Sequence, residues 1–454
     1  MLTPKLQVTL ETVRKLIRRG AEPNLIKILE KLHPADIAHL LNYLNEGERR
    51  QIFALIEDPK RAADVLVEAD REVRAKILAQ MDMERAVKIL EEMPSDDLVE
   101  LIDTLPEPLA EEILQRIGKE DMEDVEELLS YPEETAGRIM NPNYFALPEE
   151  ITVAEAIKEV QRAADAEMVF YIYVVDERER LVGVVSLRQL LTTSPEKKLK
   201  EIMNTEVISV KAHQDQEEVA RVVEKYNILA VPVVDEDNRL LGFITVDDVI
   251  DVLRDEATED LLKMGGARKE EFVYIGDIKR IVRFRLPWLV ANLLGGLATG
   301  YLMWLFKMTL REFLYLVTFI PVIMGMGGNA GLQSSSIIVR GFAIGRVERG
   351  NLLRFFSREV KIGLLMGLLC GGIAGGVGAL WHGTPAVGIV VWLSMTIAMT
   401  VACAMGTLVP AFFREVFHID PAVASGPFVT TSNDITGILI YLGTATLLMK
   451  VLLH

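Results

Sequence analysis

From Leu286 onward the chain carries five apolar blocks, roughly 286–306, 313–338, 360–381, 386–413 and 424–449. Each is long enough to cross a bilayer core of about 30 Å as a helix. Backbone polar groups in hydrocarbon must be satisfied within each segment, so this third of the chain is committed to a five-helix transmembrane domain. Arg280, Arg283 and Arg285 precede the first block, and Arg340, Arg346, Arg349, Arg354, Arg358 and Lys361 fill the second loop. Positive loops stay inside, whereas residues 382–385 carry no Lys or Arg. The expectation is a multi-pass protein of the plasma membrane with its N-terminus in the cytoplasm and its C-terminus outside.

The rest of the chain has the opposite character. Residues 286–454 hold ten Lys and Arg and six Asp and Glu, which leaves 39 basic and 60 acidic residues in the first 285. Such an acidic half does not suit nucleic acid or anionic lipid and does suit a surface that collects cations. Met1–Gly20 is amphipathic, with no apolar signal core, so the acidic half is expected in the cytoplasm. Cys370 and Cys403 both lie in apolar blocks and read as small packing residues.

Residues 24–130 repeat a helical phrase: a start signal, then apolar residues at three- and four-residue spacing, as in His33-Pro34-Ala35-Asp36-Ile37-Ala38 and Asp82-Met83-Glu84-Arg85-Ala86-Val87. Stacked short helices of this kind predict an all-α superhelix over 1–138. Next comes a duplication. Val174-Val175-Asp176-Glu177, Arg180-Leu181, Gly183 and Ser186 recur 59 residues later as Val233-Val234-Asp235-Glu236, Arg239-Leu240, Gly242 and Thr245. Each copy reads as strand, acidic turn, strand and helix, preceded by an amphipathic helix, Val153–Ala163 or Gln216–Tyr226. The pattern resembles tandem CBS (cystathionine β-synthase) domains, a regulatory α/β fold, at 139–200 and 201–257. A connecting helix, 258–285, is expected to lead to the membrane domain, 286–454.

An ionisable residue at the centre of a span costs about 2.5–3.5 kcal/mol or more, which makes it a functional candidate. Asp434 is the only acid inside a block; it closes the polar run Thr430-Thr431-Ser432-Asn433, and no Lys or Arg lies at comparable depth. The second block carries Pro321, Gly325, Gly327, Gly328, Asn329, Gly331 and Gln333. Close packing and a polar cavity both use such glycines; Asn329 and Gln333 on one helix face point to the cavity. Candidate pore-lining groups are therefore Asn329, Thr430, Thr431 and Asn433. Asp420 stands just before the last block, either as a solvated loop acid or as part of an ion site. Two carboxylates facing one another across a homodimer axis would bind a hard divalent cation with oxygen ligands alone.

The glycine-rich pattern around Asn329 and the pattern Asp420-Pro421, Pro427, Thr431, Asp434, Gly437 resemble signatures of the MgtE family of Mg²⁺ channels and transporters. The resemblance extends over essentially the whole chain. It implies Asp434 as pore ligand in a homodimer, and Asp420 with Glu256, Glu259 and Asp260 as a site at the cytoplasmic face. It further implies Asp215, Glu217, Asp248 and Asp251 as ion-sensing acids of the second CBS copy, met by Asp96 and Glu100 of the superhelix. Asn227 departs from the family pattern, where an acid is expected. The implied switch is electrostatic: acidic faces repel at low Mg²⁺, and bound ions bridge them at high Mg²⁺ and close the pore. Tandem CBS domains also bind adenine nucleotides. Thr245 and Asp248 resemble the hydroxyl-and-acid pair that holds a ribose, and Arg188 marks the first copy, so one ATP site is expected.

An enzyme is not expected. The six histidines have no metal-ligand spacing, and no nucleophile motif or phosphate-binding loop is present. A cation pathway governed mainly by nucleotide at the CBS pair is the alternative. Channel and secondary transporter remain equal readings, and preference for Mg²⁺ over Mn²⁺, Co²⁺ or Ca²⁺ rests on the resemblance.

Overall fold

The computed structural model describes residues 4–163, 170–267 and 278–453. The chain divides into two compact units, Met1–Leu253 and Arg254–His454.

The first unit opens with ten short helices among the described residues, from Pro4–Arg18 to Lys119–Ser130. Along the stack most pack on the next but one, as Pro34–Leu41 does on Pro59–Val67 and that helix on Met83–Leu90. Their starts are chemically defined. Asn45 and Glu48 form a reciprocal capping box, and His33 accepts from the Ala35 N–H just ahead of a helix begun by Pro34. Their ends are closed by arginines from later helices. Arg61 Nη2 donates to the Leu29 carbonyl at 2.7 Å, Arg85 Nη2 to Ile56 at 2.7 Å and Arg49 Nε to Leu41 at 2.7 Å. Each guanidinium satisfies a carbonyl left open at or just beyond a helix end, which ties one step of the superhelix to another.

Both copies of the duplicated segment form a three-stranded sheet. Strand β1 (Ala146–Pro148) runs parallel to β2 (Tyr171–Val175), which pairs antiparallel with β3 (Leu181–Ser186). The second copy repeats this as β4 (Val210–Lys211), β5 (Ala230–Val234) and β6 (Leu240–Thr245). Even the register irregularity recurs, between Val174 and Val175 and between Val233 and Val234. The copies meet turn to turn: the Leu181 N–H donates to the Asn238 carbonyl at 2.9 Å, and the Leu240 N–H to Glu179 at 3.3 Å. Tyr173, Leu181, Val234, Leu240 and Phe243 fill the space between the sheets. The second copy also shares one hydrophobic core with the superhelix, from Leu6 to Val252. Arg138 fastens that junction with two bonds to Asp103 at 2.7 and 2.8 Å.

Val246–Met264 is a single helix of 19 residues. A connecting helix is expected at 258–285. Its first residues instead end this helix, its last begin the next one at Ile278, and residues 268–277 lie outside the described residues.

In the second unit, four helices are long and apolar enough to cross a membrane among the described residues: Ile278–Leu305, Leu314–Ala343, Leu352–His382 and Pro385–Phe417. The fifth expected span is the 27-residue helix Pro427–Leu453, long enough at about 1.5 Å rise per residue. The fourth is the hub: 67% of its apolar stretch is buried, against 11% for the first, whose Leu286, Leu289, Leu293 and Leu297 face outward.

The third helix approaches the fourth along Gly363, Gly367, Gly371 and Gly375, a stripe at four-residue spacing. A Cβ on Gly367 would lie 2.7 Å from Thr396 Cα, and one on Gly371 would lie 2.8 Å from the Trp392 carbonyl oxygen. These neighbours are backbone and cannot rotate away. Gly367→Leu is therefore expected to lower the unfolding midpoint in detergent through a destabilisation of at least the roughly 1–3 kcal/mol of an overpacked core site. Gly376→Ala, with open space around the glycine, should leave that midpoint unchanged.

Candidate functional site: a membrane-depth carboxylate and an acidic inner-face cluster

Asp434 projects from the fifth apolar helix, half-buried, and no hydrogen bond or ion pair holds it among the described residues. Its neighbours in sequence anchor the helix. Asn433 is 2% exposed, and its amide packs where a Cβ on Gly331 of the second helix would stand. Gly406 of the fourth helix in turn admits the Gly331 carbonyl. Thr431 fits against Gly295 of the first helix, and its Oγ1 lies 3.0 Å from Asn292 Oδ1. Thr430 returns its hydroxyl to the Gly426 carbonyl at 2.9 Å. Of the four residues expected to line a pathway, Thr431 and Asn433 thus serve interhelical packing, which fixes the direction in which Asp434 projects.

Asn329 is the fourth. It is exposed and lies in line with exposed Gly325 and Gln333 at four-residue spacing, and the space around Gly325, Gly327 and Gly328 is open. A polar strip on a helix of membrane length needs water or protein against it.

One acid escaped the sequence reading. Glu359, one residue before the third block, is 3% exposed; it accepts from Ser334 Oγ at 2.9 Å and pairs with Arg358 at 3.2 Å. Its place among Arg354, Arg358 and Lys361 made it look like part of a solvated loop.

The inner-face acids are positioned by helix ends. Asp420 caps Pro421–Ser425, accepting from the Ala422 N–H at 2.8 Å, and its other oxygen accepts from Lys263 Nζ at 2.7 Å. Lys263 also pairs with Glu259, one turn back on its own helix. Burial works against the lysine's charge, but the bonds to Asp420 and then Glu259 outweigh it and hold Lys263 above the ordinary lysine range. Beside it, Met264 packs with Ile338, Phe342 and Ala422, and its carbonyl fills the space that a Cβ on Gly426 would need. The end of the 246–264 helix is thereby seated against the turn from which the fifth apolar helix starts. Glu256 and Asp260 lie on the same helix.

Each candidate sensing acid of the first unit has its own local setting. Glu100 accepts from Arg74 at 2.7 Å and from Arg71 at 2.9 Å, so a cation there would have to displace two guanidiniums. Asp96 accepts from Asn141 at 3.4 Å, beside the second CBS copy, through the backbone pair Asn141–Phe243. Asp215 caps Gln216–Tyr226, and Glu217 pairs with Arg221 at 2.6 Å. Asp251 stands on the 246–264 helix, three residues after Asp248. Asp248 accepts from the Thr245 N–H at 3.1 Å and from its hydroxyl; burial pushes its carboxyl up to about 6. Asn227 ends Gln216–Tyr226 in the left-handed region, at φ 51°, a conformation that asparagine tolerates better than most residues. Among the described residues no three His, Cys, Asp or Glu side chains converge closely enough to hold a metal ion.

An open cavity of about 540 Å³ lies beside β2 and β3, lined by Phe170, Tyr171, Ser186, Leu187, Arg188, Leu191, Thr192 and Leu229. Arg188 lies in this lining. Thr245 and Asp248 occupy the equivalent place in the second copy and are not in its lining.

Together these features define a polytopic α-helical membrane protein with a carboxylate at membrane depth that is unpartnered among the described residues, preceded by an acidic superhelix and a CBS pair. The family model for MgtE, a divalent cation transporter, matches residues 320–444; that for the MgtE intracellular N domain matches 32–134, and that for the CBS domain matches 136–196 and 199–255. The chain is 38% identical over 98% of its length to the magnesium transporter MgtE of Thermus thermophilus, covering 99% of that protein. It is 35% identical to the magnesium transporter MgtE of Bacillus subtilis, with 95% of each chain covered. The chain belongs to the MgtE family. Among solved structures, the cytosolic domain of the Mg²⁺ channel MgtE in complex with ATP is 38% identical and superimposes with a TM-score of 0.52, covering 54% of this chain and 99% of that one. The soluble part of a magnesium transporter is 33% identical, with a TM-score of 0.52 over 56% of this chain and 99% of that one.

Proposed function

We propose that the protein carries Mg²⁺ across the plasma membrane along a pathway on which Asp434 is the ion ligand, and that Mg²⁺ on the cytoplasmic side closes this pathway. The observation that carries the reading is Asp434 itself: a carboxylate at membrane depth, without a partner among the described residues, on a helix that neighbouring side chains hold in place. One carboxylate is a poor site for a divalent ion, so the working unit is a homodimer in which two copies of Asp434 and the Asn329 strip face one aqueous path. Relatives that this chain matches along nearly its whole length are magnesium transporters. The acidic domains lie in the cytoplasm and the C-terminus outside, as the arginine-rich loops favour. Regulatory ions bind Asp420, Glu256, Glu259 and Asp260 at the inner face, and Asp215, Glu217, Asp248, Asp251 and Asp96 in the first unit. Glu100, already held by two arginines, orders that surface.

ATP occupies the cavity beside Arg188 as a second signal, a reading supported by the ATP-bound relative. The protein is not an enzyme; it binds, passes and senses an ion.

The test is flux or single-channel recording on the full chain in bilayers, with cytoplasmic-side Mg²⁺ raised from micromolar to tens of millimolar. Current that appears at low Mg²⁺ and shuts off as Mg²⁺ rises is expected. Flux that ignores internal Mg²⁺ and follows ATP instead would transfer control to the CBS cavity.

A further inference from the structure

Lys263 holds the place that the proposed inner-face site would give to a divalent ion. Its ammonium lies between Glu259, one helical turn earlier, and Asp420, 157 residues later, at 2.7 Å from Asp420 Oδ2. The three side chains are 20–33% exposed, so water and ions reach the group. Two carboxylates and one ammonium carry a net charge of −1. Without the ammonium the pair would carry −2 and match a divalent cation fully.

We infer that Lys263 is a tethered counter-cation that competes with the regulatory divalent ion for Glu259 and Asp420, and so sets the concentration at which the inner-face site fills. The inference rests on the reading of those two acids as regulatory ligands. Its physical basis is that the lysine is attached to the helix that supplies Glu259. It is therefore present at a high effective concentration that no change in solution composition removes. A divalent ion wins only by offering two charges and several coordination positions where the ammonium offers one charge and three donors. The lysine keeps the two carboxylates from repelling when no ion is bound, and keeps the 246–264 helix end seated on the turn at Gly426. The same group thus preserves the geometry of the site and weakens its affinity, which suits a sensor that must stay empty until the ion is abundant.

The experiment is Mn²⁺ titration, read by electron paramagnetic resonance, of the full chain in lipid nanodiscs. Mn²⁺ is the probe because it favours the same oxygen ligands as Mg²⁺. Lys263→Met keeps the aliphatic stem and deletes the charge, and is expected to tighten one class of sites about tenfold, within the range of ordinary coupling energies. Lys263→Arg should retain the wild-type affinity. In a Glu259→Gln/Asp420→Asn background the site should be lost, and Lys263→Met should then have no effect, as a double-mutant cycle requires of interacting groups. Unchanged affinity in Lys263→Met, with the site still abolished by the carboxylate substitutions, would overturn the inference and leave the sensor standing. Weaker binding in Lys263→Met would also overturn it, by making the lysine a positioning residue for the ligands. If the carboxylate substitutions leave every Mn²⁺ site intact, the assignment of Glu259 and Asp420 as ligands fails first. Thermal midpoints of all variants guard against misfolding.

Discussion

Asp434→Ala is expected to reduce Mg²⁺ flux to the level of protein-free membranes while leaving the protein folded, with an unfolding midpoint equal to or above that of the wild type. The two halves of this result have separate causes. Flux is lost because the pathway has no other carboxylate on the fifth apolar helix, and a hydrated divalent ion entering hydrocarbon depth without one meets a desolvation barrier that hydroxyl and amide groups do not offset. Stability is retained because Asp434 has no hydrogen bond or ion pair among the described residues. Removing a half-buried charge that nothing among the described residues compensates relieves part of the desolvation cost of a carboxylate within a span. This combination separates a ligand from a strut. Asn433→Ala, by contrast, should lower the midpoint, because that amide fills the gap left by Gly331. If Asp434→Ala transported like the wild type, the pathway would have to be placed elsewhere, and the buried Glu359 beside Ser334 would be the next place to look.

The sequence made some features legible because they are local. Capping boxes and proline starts divide the superhelix, and a 59-residue duplication reappears down to a shared register irregularity in the two sheets. Apolar blocks announce the helices because lipid allows few alternatives. What escaped was non-local. Nothing around Lys263 indicates that its partner lies 157 residues away, or that Arg71 and Arg74 converge on Glu100. Thr431 and Asn433 read as pathway residues because they are polar within an apolar block; that they also pack against Gly295 and Gly331 depends on the placement of other helices. The start of the connecting helix is hard to read for a related reason: the change in composition near 258 marks a change of environment, whereas the helix from Val246 to Met264 continues through it.

Neutralising Asp248, Asp251, Glu256 and Glu259 together, as Asp→Asn and Glu→Gln, is expected to leave flux on at internal Mg²⁺ concentrations that silence the wild type, with the half-inhibiting concentration raised at least about tenfold. All four lie on the single helix Val246–Met264, whose end is seated on the turn that starts the Asp434 helix. A change in charge along this helix therefore has a covalent and packed route to the segment that carries the ion ligand. At low Mg²⁺ four carboxylates within about 18 Å of helix, by its rise of about 1.5 Å per residue, repel over distances that salt screens only beyond about 8–10 Å. Bound ions cancel that repulsion, and they shift the population only to the extent that they bind the closed state more tightly than the open one. The amide variants remove both the repulsion and the ligands, so the response to Mg²⁺ should flatten, while flux at micromolar Mg²⁺ stays near wild type. Asp248 is buried and accepts from the Thr245 hydroxyl, and Glu259 is paired with Lys263, so each of these two carboxylates gives up a partner within the chain when an ion binds. Unchanged inhibition in the quadruple variant would remove the helix from the sensor and leave the inner face, through Asp420, as the place where the ion acts.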